Sequence, residues 1–426
     1  MEAFRAPCAF DGERFLDGGA TVLVDAGRIV AVESGEHPLP RGCRLQDHPG
    51  GTLLPGLIES HAHLVCDGRP GAVERVGGAD AEELASAVEQ ALAAQLAAGV
   101  TTVRDLGDRD FLVLDRRDRR ASGAREPAIV ASGPPLTSPG GHCAGFGGEV
   151  RSRRAVEAAV AERVERGVDV VKVMASGGLY SPGTDVEQTQ FDVEELRTVV
   201  DTAHAAGLPV TAHAHALTAV EQALTVGVDG IEHCTCLGAD GFGGPPELLE
   251  RLAGSGVAVS LTLGGVPGTA PAEPPVAIAA TLAAHGWTLA EALERRRAWF
   301  ARVCASDVRL VAGADSGVGP GKPHGVLPRA VLEHVELGLP LERALAAATS
   351  TAADVCGLPT RGRLRPGCDA DLLVVDGDLR TDPGALLRPR LVHLAGDGRP
   401  TGSVVTVEGA PAGATVPHHH RRGRSS

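Results

Sequence analysis

The sequence predicts a (β/α)8 barrel carrying a small β-sandwich built from both chain ends, and three observations carry that expectation. Eight short apolar stretches, spread over residues 53–314, alternate with amphipathic helical stretches. Strand-like segments lie at both ends of the chain. Between them, chemistry-bearing side chains fall where strands end, which in a parallel barrel is the mouth that holds the active site.

At the start of the chain, Thr21–Val32 alternates apolar and polar residues around Asp25-Ala26-Gly27 and reads as a hairpin. Near the other end, Asp371–Val375, Leu391–Leu394 and Ser403–Val407 are short strand patterns separated by Gly, Pro and Asp. The two ends are therefore expected to share a sheet. This divides the chain into a composite sandwich over residues 1–52 and 360–412, a barrel over 53–359, and a disordered tail over 413–426 that contains His418, His419 and His420.

The eight barrel strands are read at Leu53–Glu59, Thr101–Leu106, Ala128–Ala131, Val170–Met174, Val210–His213, Gly230–Cys234, Val257–Thr262 and Arg309–Ala314. Helical segments such as Ala81–Ala98 and Glu291–Ala305 follow them. Gly254–Pro275 is rich in Gly, Pro, Ser and Thr and is expected to form a long loop, read either as a lid or as a passive connection.

Composition narrows the function. With 43% hydrophobic and 22% charged residues among 426, the chain is an ordinary globular one. Forty Lys and Arg against 54 Asp and Glu leave a formal charge of −14, so no basic nucleic-acid footprint exists. The longest uncharged stretches, Thr202–Val220 and Leu252–Ala272, are broken by Gly and Pro, which speaks against a membrane span. Met1–Phe10 holds Glu2, Arg5 and no apolar run, so no secretory signal is read and a cytoplasmic location is expected. The nine cysteines are odd in number and scattered, which suits free thiols.

The motifs sit at strand ends. His61 and His63 are two apart on one strand, so both imidazoles point the same way. His213, His233 and Asp315 close strands five, six and eight. Neutral imidazoles and a carboxylate gathered at one mouth suit zinc, manganese or a similar divalent ion. Lys172 lies in the apolar strand VDVVKVMASGG, where a bare ammonium is expensive to bury. A carbamate bridging two metals, a Schiff-base nucleophile and a structural salt bridge are the three readings, and the histidines favour the first.

These residues resemble the amidohydrolase superfamily, in the imidazolonepropionase-like branch that contains metal-dependent Xaa-Pro and Xaa-Arg/Lys dipeptidases and carboxypeptidases. The resemblance spans nearly the whole chain. It rests on Gly51–Ile58 with Glu59-Ser60-His61-Ala62-His63, on Thr101–Asp105, on Lys172 with Ser176-Gly177-Gly178, on His213-Ala214-His215, on Ile231-Glu232-His233, on Gly313-Ala314-Asp315 and on Pro366–Leu372. It implies two divalent metal ions, zinc first, with manganese, cobalt or iron as alternatives. His61 and His63 hold one, His213 and His233 the other, and carboxylated Lys172 bridges them. Asp315 touches the first metal and shuttles the proton of a metal-bridging hydroxide that attacks an amide carbonyl.

His215 competes with His213 for the ligand role, and the family pattern favours His213. His142 is expected to face the substrate and stabilise the oxyanion, or else to be a solvent-facing loop histidine. Tyr180, the sole tyrosine, is read as a hydrogen-bond donor to a substrate carboxylate or carbonyl. Arg104 and His324 are near-mouth residues that could meet a substrate carboxylate, with a structural ion pair the stronger reading for Arg104. The implied activity is hydrolysis of a dipeptide, an N-acyl amino acid or a peptide C-terminus. A tailoring hydrolase acting on a modified peptide in natural-product biosynthesis, and an imidazolonepropionase-like cyclic-amide hydrolase or deaminase, are the alternatives. The partner is thus a small molecule or peptide, and the analogy allows a homo-oligomer. Val259-Ser260-Leu261-Thr262-Leu263 and Cys234-Thr235-Cys236 depart from the family pattern on the expected substrate side.

Overall fold

The computed structural model describes residues 1–119, 124–269, 274, 276–395 and the strand Ser403–Thr406. Eight parallel strands form the barrel: β1 Leu57–Ala62, β2 Val100–Asp105, β3 Ala128–Ala131, β4 Val171–Met174, β5 Val210–Ala216, β6 Gly230–Gly238, β7 Ala258–Ser260 and β8 Arg309–Leu310. The first three pair as one sheet and the last five as another. Two seams close the ring. Leu136 exchanges backbone hydrogen bonds with Lys172 and Met174 at 2.8 Å each, and Ser60, His63 and Asp315 tie β1 to the chain leaving β8.

The helices that wrap the barrel begin where the sequence supplies caps. Ala81–Ala97, Val193–Ala205 and Leu289–Cys304 each open with a reciprocal capping box, made by Asp80 with Glu83, Asp192 with Glu195, and Thr288 with Glu291. Their apolar sides are buried, as with Leu84, Val88 and Leu92 on the first.

The sandwich takes strands from both chain ends, as expected. One sheet orders Arg28–Ser34, Ala20–Asp25, Glu2–Ala6 and Arg44–Asp47; the other orders Ser403–Thr406, Pro389–Leu394, Leu372–Asp376, Gly51–Pro55 and Cys8–Ala9. Strand alternation lets the second sheet serve two cores: Leu53 and Val374 pack with Phe4, Val22 and Ile29, while Leu54, Leu373 and Val375 pack with the barrel.

Two expectations are corrected. The single strand read over Leu53–Glu59 is two, because the chain turns from sandwich to barrel at Gly56; a Cβ there would stand 2.2 Å from Thr101 Oγ1. Gly254–Pro275 is not one loop: Gly254 and Ser255 finish the helix Pro246–Ser255, and Ala258–Ser260 is buried as β7 between β6 and β8. Residues 270–273 and 275, like the tail from 407, lie outside the described residues. All nine cysteines are free thiols, as read. Among the described residues no single helix is long and apolar enough to cross a membrane.

The turn at Gly56 gives a stability prediction. Gly56→Ala forces the new methyl into Thr101 and should lower unfolding free energy by about 1–3 kcal/mol. A urea midpoint equal to wild type would show that the junction tolerates the contact.

Candidate metal centre and active site

The end of β1 aims His61 and His63 into the barrel mouth, as their two-residue spacing requires. Both reach one carboxylate oxygen: Asp315 Oδ1 lies 3.4 Å from His61 Nε2 and 3.5 Å from His63 Nε2. Asp315 stands beside them because its N–H donates to the His61 carbonyl at 2.8 Å. It adopts a left-handed φ of 57°, and His233 does the same at 71°. Such conformations strain non-glycine residues and persist where surroundings enforce them. At His233 the turn breaks strand alternation, so Glu232 and His233, though adjacent, both meet His61: Glu232 by a hydrogen bond, His233 with ring centroids 5.3 Å apart.

β5 and β6 supply the second group. Ligand atoms of His213, His215 and His233 lie within 4.8 Å of one another, and those of His61, His233 and Asp315 form a second such set. The rings of His213 and His215 stand 4.5 and 4.4 Å from that of His233. His213 Nε2 meets the Gly177 carbonyl at 3.1 Å, while His215 Nδ1 meets Thr235 Oγ1 at 3.1 Å. Both histidines of the His213/His215 pair are thus brought to the cluster.

Lys172 points into the same cavity from β4 and is fully buried, and its Nζ has no hydrogen-bond partner. Burial pushes its pKa down to about 8. Burial, reinforced by the neighbouring Lys172 charge, takes His61 and His63 down to about 4; His215 falls to about 3 through burial and the Arg296 charge. His213 and His233 are held well below the usual range, again first by burial. These imidazoles are therefore neutral at ordinary pH, the state in which they ligate metals.

Outer contacts fix the rings. His61 Nδ1 donates to Glu232 Oε2 at 2.8 Å, His63 Nδ1 to the Gly107 carbonyl at 3.1 Å, and His233 Nδ1 pairs with Thr262 Oγ1 at 2.9 Å. Each leaves Nε2 for the cavity, the arrangement that orients metal-binding imidazoles. Glu232 also accepts from Arg104 at 3.0 Å and Thr211 at 2.7 Å. Burial alone would raise its carboxyl, but His61, Arg104 and Lys172 together hold it well below the carboxylate range. The neutral imidazole set and the orphaned Lys172 amine fit divalent cations.

His142 lies beside this cluster, its ring 4.4 Å from that of His213. Its Nδ1 meets Ser181 Oγ at 2.7 Å and its N–H donates to Gln190 Oε1 at 2.6 Å, so it is no solvent-facing loop histidine. Gly178 makes room for it: a Cβ there would stand 2.3 Å from the ring. Tyr180 is partly buried in the same cavity, which Arg296, Phe300 and Lys322 also line. Arg104 is the structural ion pair the sequence favoured, donating to Glu232 and the Ser60 carbonyl. His324 does not line the cavity; its Nε2 meets the Cys66 carbonyl at 2.8 Å.

Sequence reasoning missed Glu232, Arg296 and Lys322. Glu232 had one available signal, a carboxylate beside a strand-end histidine. Arg296 had none, because it is the middle of Arg295-Arg296-Arg297 on an exposed-looking helix.

Comparison with known proteins agrees with this geometry. The Amidohydrolase family model matches residues 52–414. An uncharacterized protein of Mycobacterium tuberculosis is 31% identical over 353 residues, covering 82% of this chain and 85% of its own. An imidazolonepropionase of Salinispora tropica is 27% identical over 416 residues, covering 90% and 94%. A crystal structure of a prolidase complexed with N-methylphosphonate-L-proline superposes with a TM-score of 0.79 at 26% identity, covering 95% of this chain and 99% of that one.

The role of Glu232 can be read directly. Glu232→Gln keeps the shape but weakens the acceptor at His61, and should reduce zinc affinity about 10–100-fold in a chelator competition. Unchanged affinity would separate Glu232 from ligand orientation.

Proposed function

The chain belongs to the amidohydrolase family, and from that premise we propose that it is a binuclear metal-dependent hydrolase releasing an amino acid from a dipeptide, an N-acyl amino acid or a peptide C-terminus. That it hydrolyses carbon–nitrogen bonds follows from the family; the substrate and the two-metal site are the proposal. One observation carries it: a buried lysine amine without a partner, set among neutral imidazoles. A carbamate on Lys172 would replace a costly buried amine with an anionic ligand, as the Schiff-base and salt-bridge readings do not. The relation to a prolidase complexed with a proline phosphonate supports an amino acid on the leaving side.

His61, His63 and Asp315 would hold one ion, His213 and His233 the other, and Lys172 would join them; His215 is the alternative to His213. Zinc suits this donor set first, with manganese, cobalt or iron as alternatives. Bound there, the ions supply Lewis acidity toward the amide carbonyl and lower the pKa of water. Asp315 would take up the proton of the attacking water on its carboxylate and return it to the departing amine. His142, fixed by Ser181 and Gln190, offers its other ring nitrogen to the carbonyl oxygen as negative charge develops. Tyr180 donates from the cavity wall to the substrate. The cavity walls include Leu179, Leu261, Val318 and Phe300, so an apolar side chain suits the space. A cyclic-amide hydrolase is the second reading, favoured by the identity to imidazolonepropionase over 90% of this chain.

A panel of dipeptides, N-acyl amino acids and cyclic amides, assayed with zinc, manganese or cobalt and bicarbonate, tests the proposal. Amine release from a coherent linear subset is expected; turnover of cyclic amides alone would replace it with the second reading. Lys172→Ala should lose most bound metal and activity and recover part of both with formate or acetate. Full activity in that variant would contradict the bridging role. His142→Asn should lower kcat about 10²–10³-fold with metal content unchanged; a wild-type kcat would remove His142 from the chemistry.

A further inference from the structure

The helix Leu289–Cys304 places three arginines in a row, and their surroundings differ. Arg295 lies over the Trp287 ring at 5.1 Å, and Arg297 reaches Glu336 at 3.7 Å on the surface. Arg296 alone turns into the cavity that holds the histidines, Lys172 and Asp315. It is partly buried, packs over Phe300 at 5.6 Å, and among the described residues makes no hydrogen bond and no ion pair. Glu333, the acid whose charge it feels, already accepts the Gly264 N–H at 2.7 Å. A guanidinium has five donors and is always charged, so one withdrawn from water without an acceptor calls for an anion.

Two other cationic side chains line the cavity: Lys172, assigned above to the metal centre, and Lys322, which is already engaged. Lys322 Nζ donates to the carbonyls of Thr262 at 2.6 Å and Leu263 at 2.7 Å, leaving one donor. At the metal end, Asp315 and the imidazoles face one another. Arg296 lines one cavity with Tyr180 and His215, and its charge reaches both. Phe300, over which it packs, and Leu261 are apolar surfaces of the same cavity, and such walls strengthen a charged hydrogen bond by excluding water.

We propose that Arg296 is the specificity residue that anchors a carboxylate on the substrate, its planar fork pairing with the two carboxylate oxygens while Tyr180 donates alongside. A single guanidinium in apolar walls matches one negative charge in bidentate geometry. The enzyme then distinguishes an acylated amino acid from its carboxamide, which presents the same scissile bond without the charge. This assignment rests on the reading of the site as an amide hydrolase of amino-acid substrates.

The test compares N-acetyl-L-amino acids with the matching N-acetyl-L-amino acid amides, on the metal-loaded wild type and on Arg296→Met and Arg296→Lys. Wild type is expected to favour the acids by about 10–100-fold in kcat/KM. Arg296→Met should lose that margin while changing turnover of the amides less than about threefold, and Arg296→Lys should keep part of it. Calorimetric titration with the same compounds reads the anchor without turnover. Tighter binding of acids that disappears in Arg296→Met, with no hydrolysis of either series, would overturn the amidase reading and leave the anchor standing. Equal affinity of wild type for acids and amides, absence of binding by both included, or equal losses on both series in Arg296→Met, would overturn the anchor.

Discussion

An amine buried in a barrel with nothing to bond is the constraint around which the site is arranged. Leaving a polar group unpaired in a dry interior costs free energy that a stable fold does not spare without compensation. Around Lys172 the barrel adds six histidines in the same cavity. Three of these rings, His61, His63 and His233, have their Nδ1 tied to Glu232, the Gly107 carbonyl and Thr262, so their remaining nitrogens are left for the cavity that the amine enters. Glu232 links the layers: it takes bonds from His61 above and from Arg104 and Thr211 below, which ties ligand orientation to the packed interior of the barrel. Strained φ angles at His233 and Asp315 show the backbone bent to serve this convergence.

The architecture was legible because its signals are periodic. Alternating β and α patterns marked all eight strands, and the i, i+2 rule put His61 and His63 on one face. Where the reading failed, a local steric event overrode the pattern. Gly56 breaks an unbroken apolar run because the chain must pass Thr101 closely, and no count of apolar residues reveals a neighbour 45 positions away. In Gly254–Pro275 the strand read at Val257–Thr262 was placed correctly, and only the loop was drawn too wide, because its glycines and serine extend over the helix end and β7.

At the site, the residues at strand ends were legible and those that support them were less so. Lys172 and His213 stand where strand periodicity places them, while His233 reaches the cavity through a left-handed turn that breaks the alternation. The roles of Thr262, Thr235 and Gln190 are set by long-range contacts, such as the bond from Gln190 Nε2 to the Met174 carbonyl at 2.7 Å, and their types carry no chemical mark. Arg296 shows the limit most clearly, since three identical neighbours share one helix and only packing decides which faces inward. The division follows the fold: barrel strands carry most of the histidines and Lys172, while His142, Tyr180 and Arg296 come from the loops and helix that follow strands.

The account turns on the fate of the Lys172 amine, and carbon-13 NMR addresses it directly. Protein loaded with zinc in ¹³C-bicarbonate should show a carbamate resonance that is absent from Lys172→Ala under the same conditions. A metal-loaded wild type with no such resonance would contradict the bridging carbamate and return Lys172 to a free amine needing another partner.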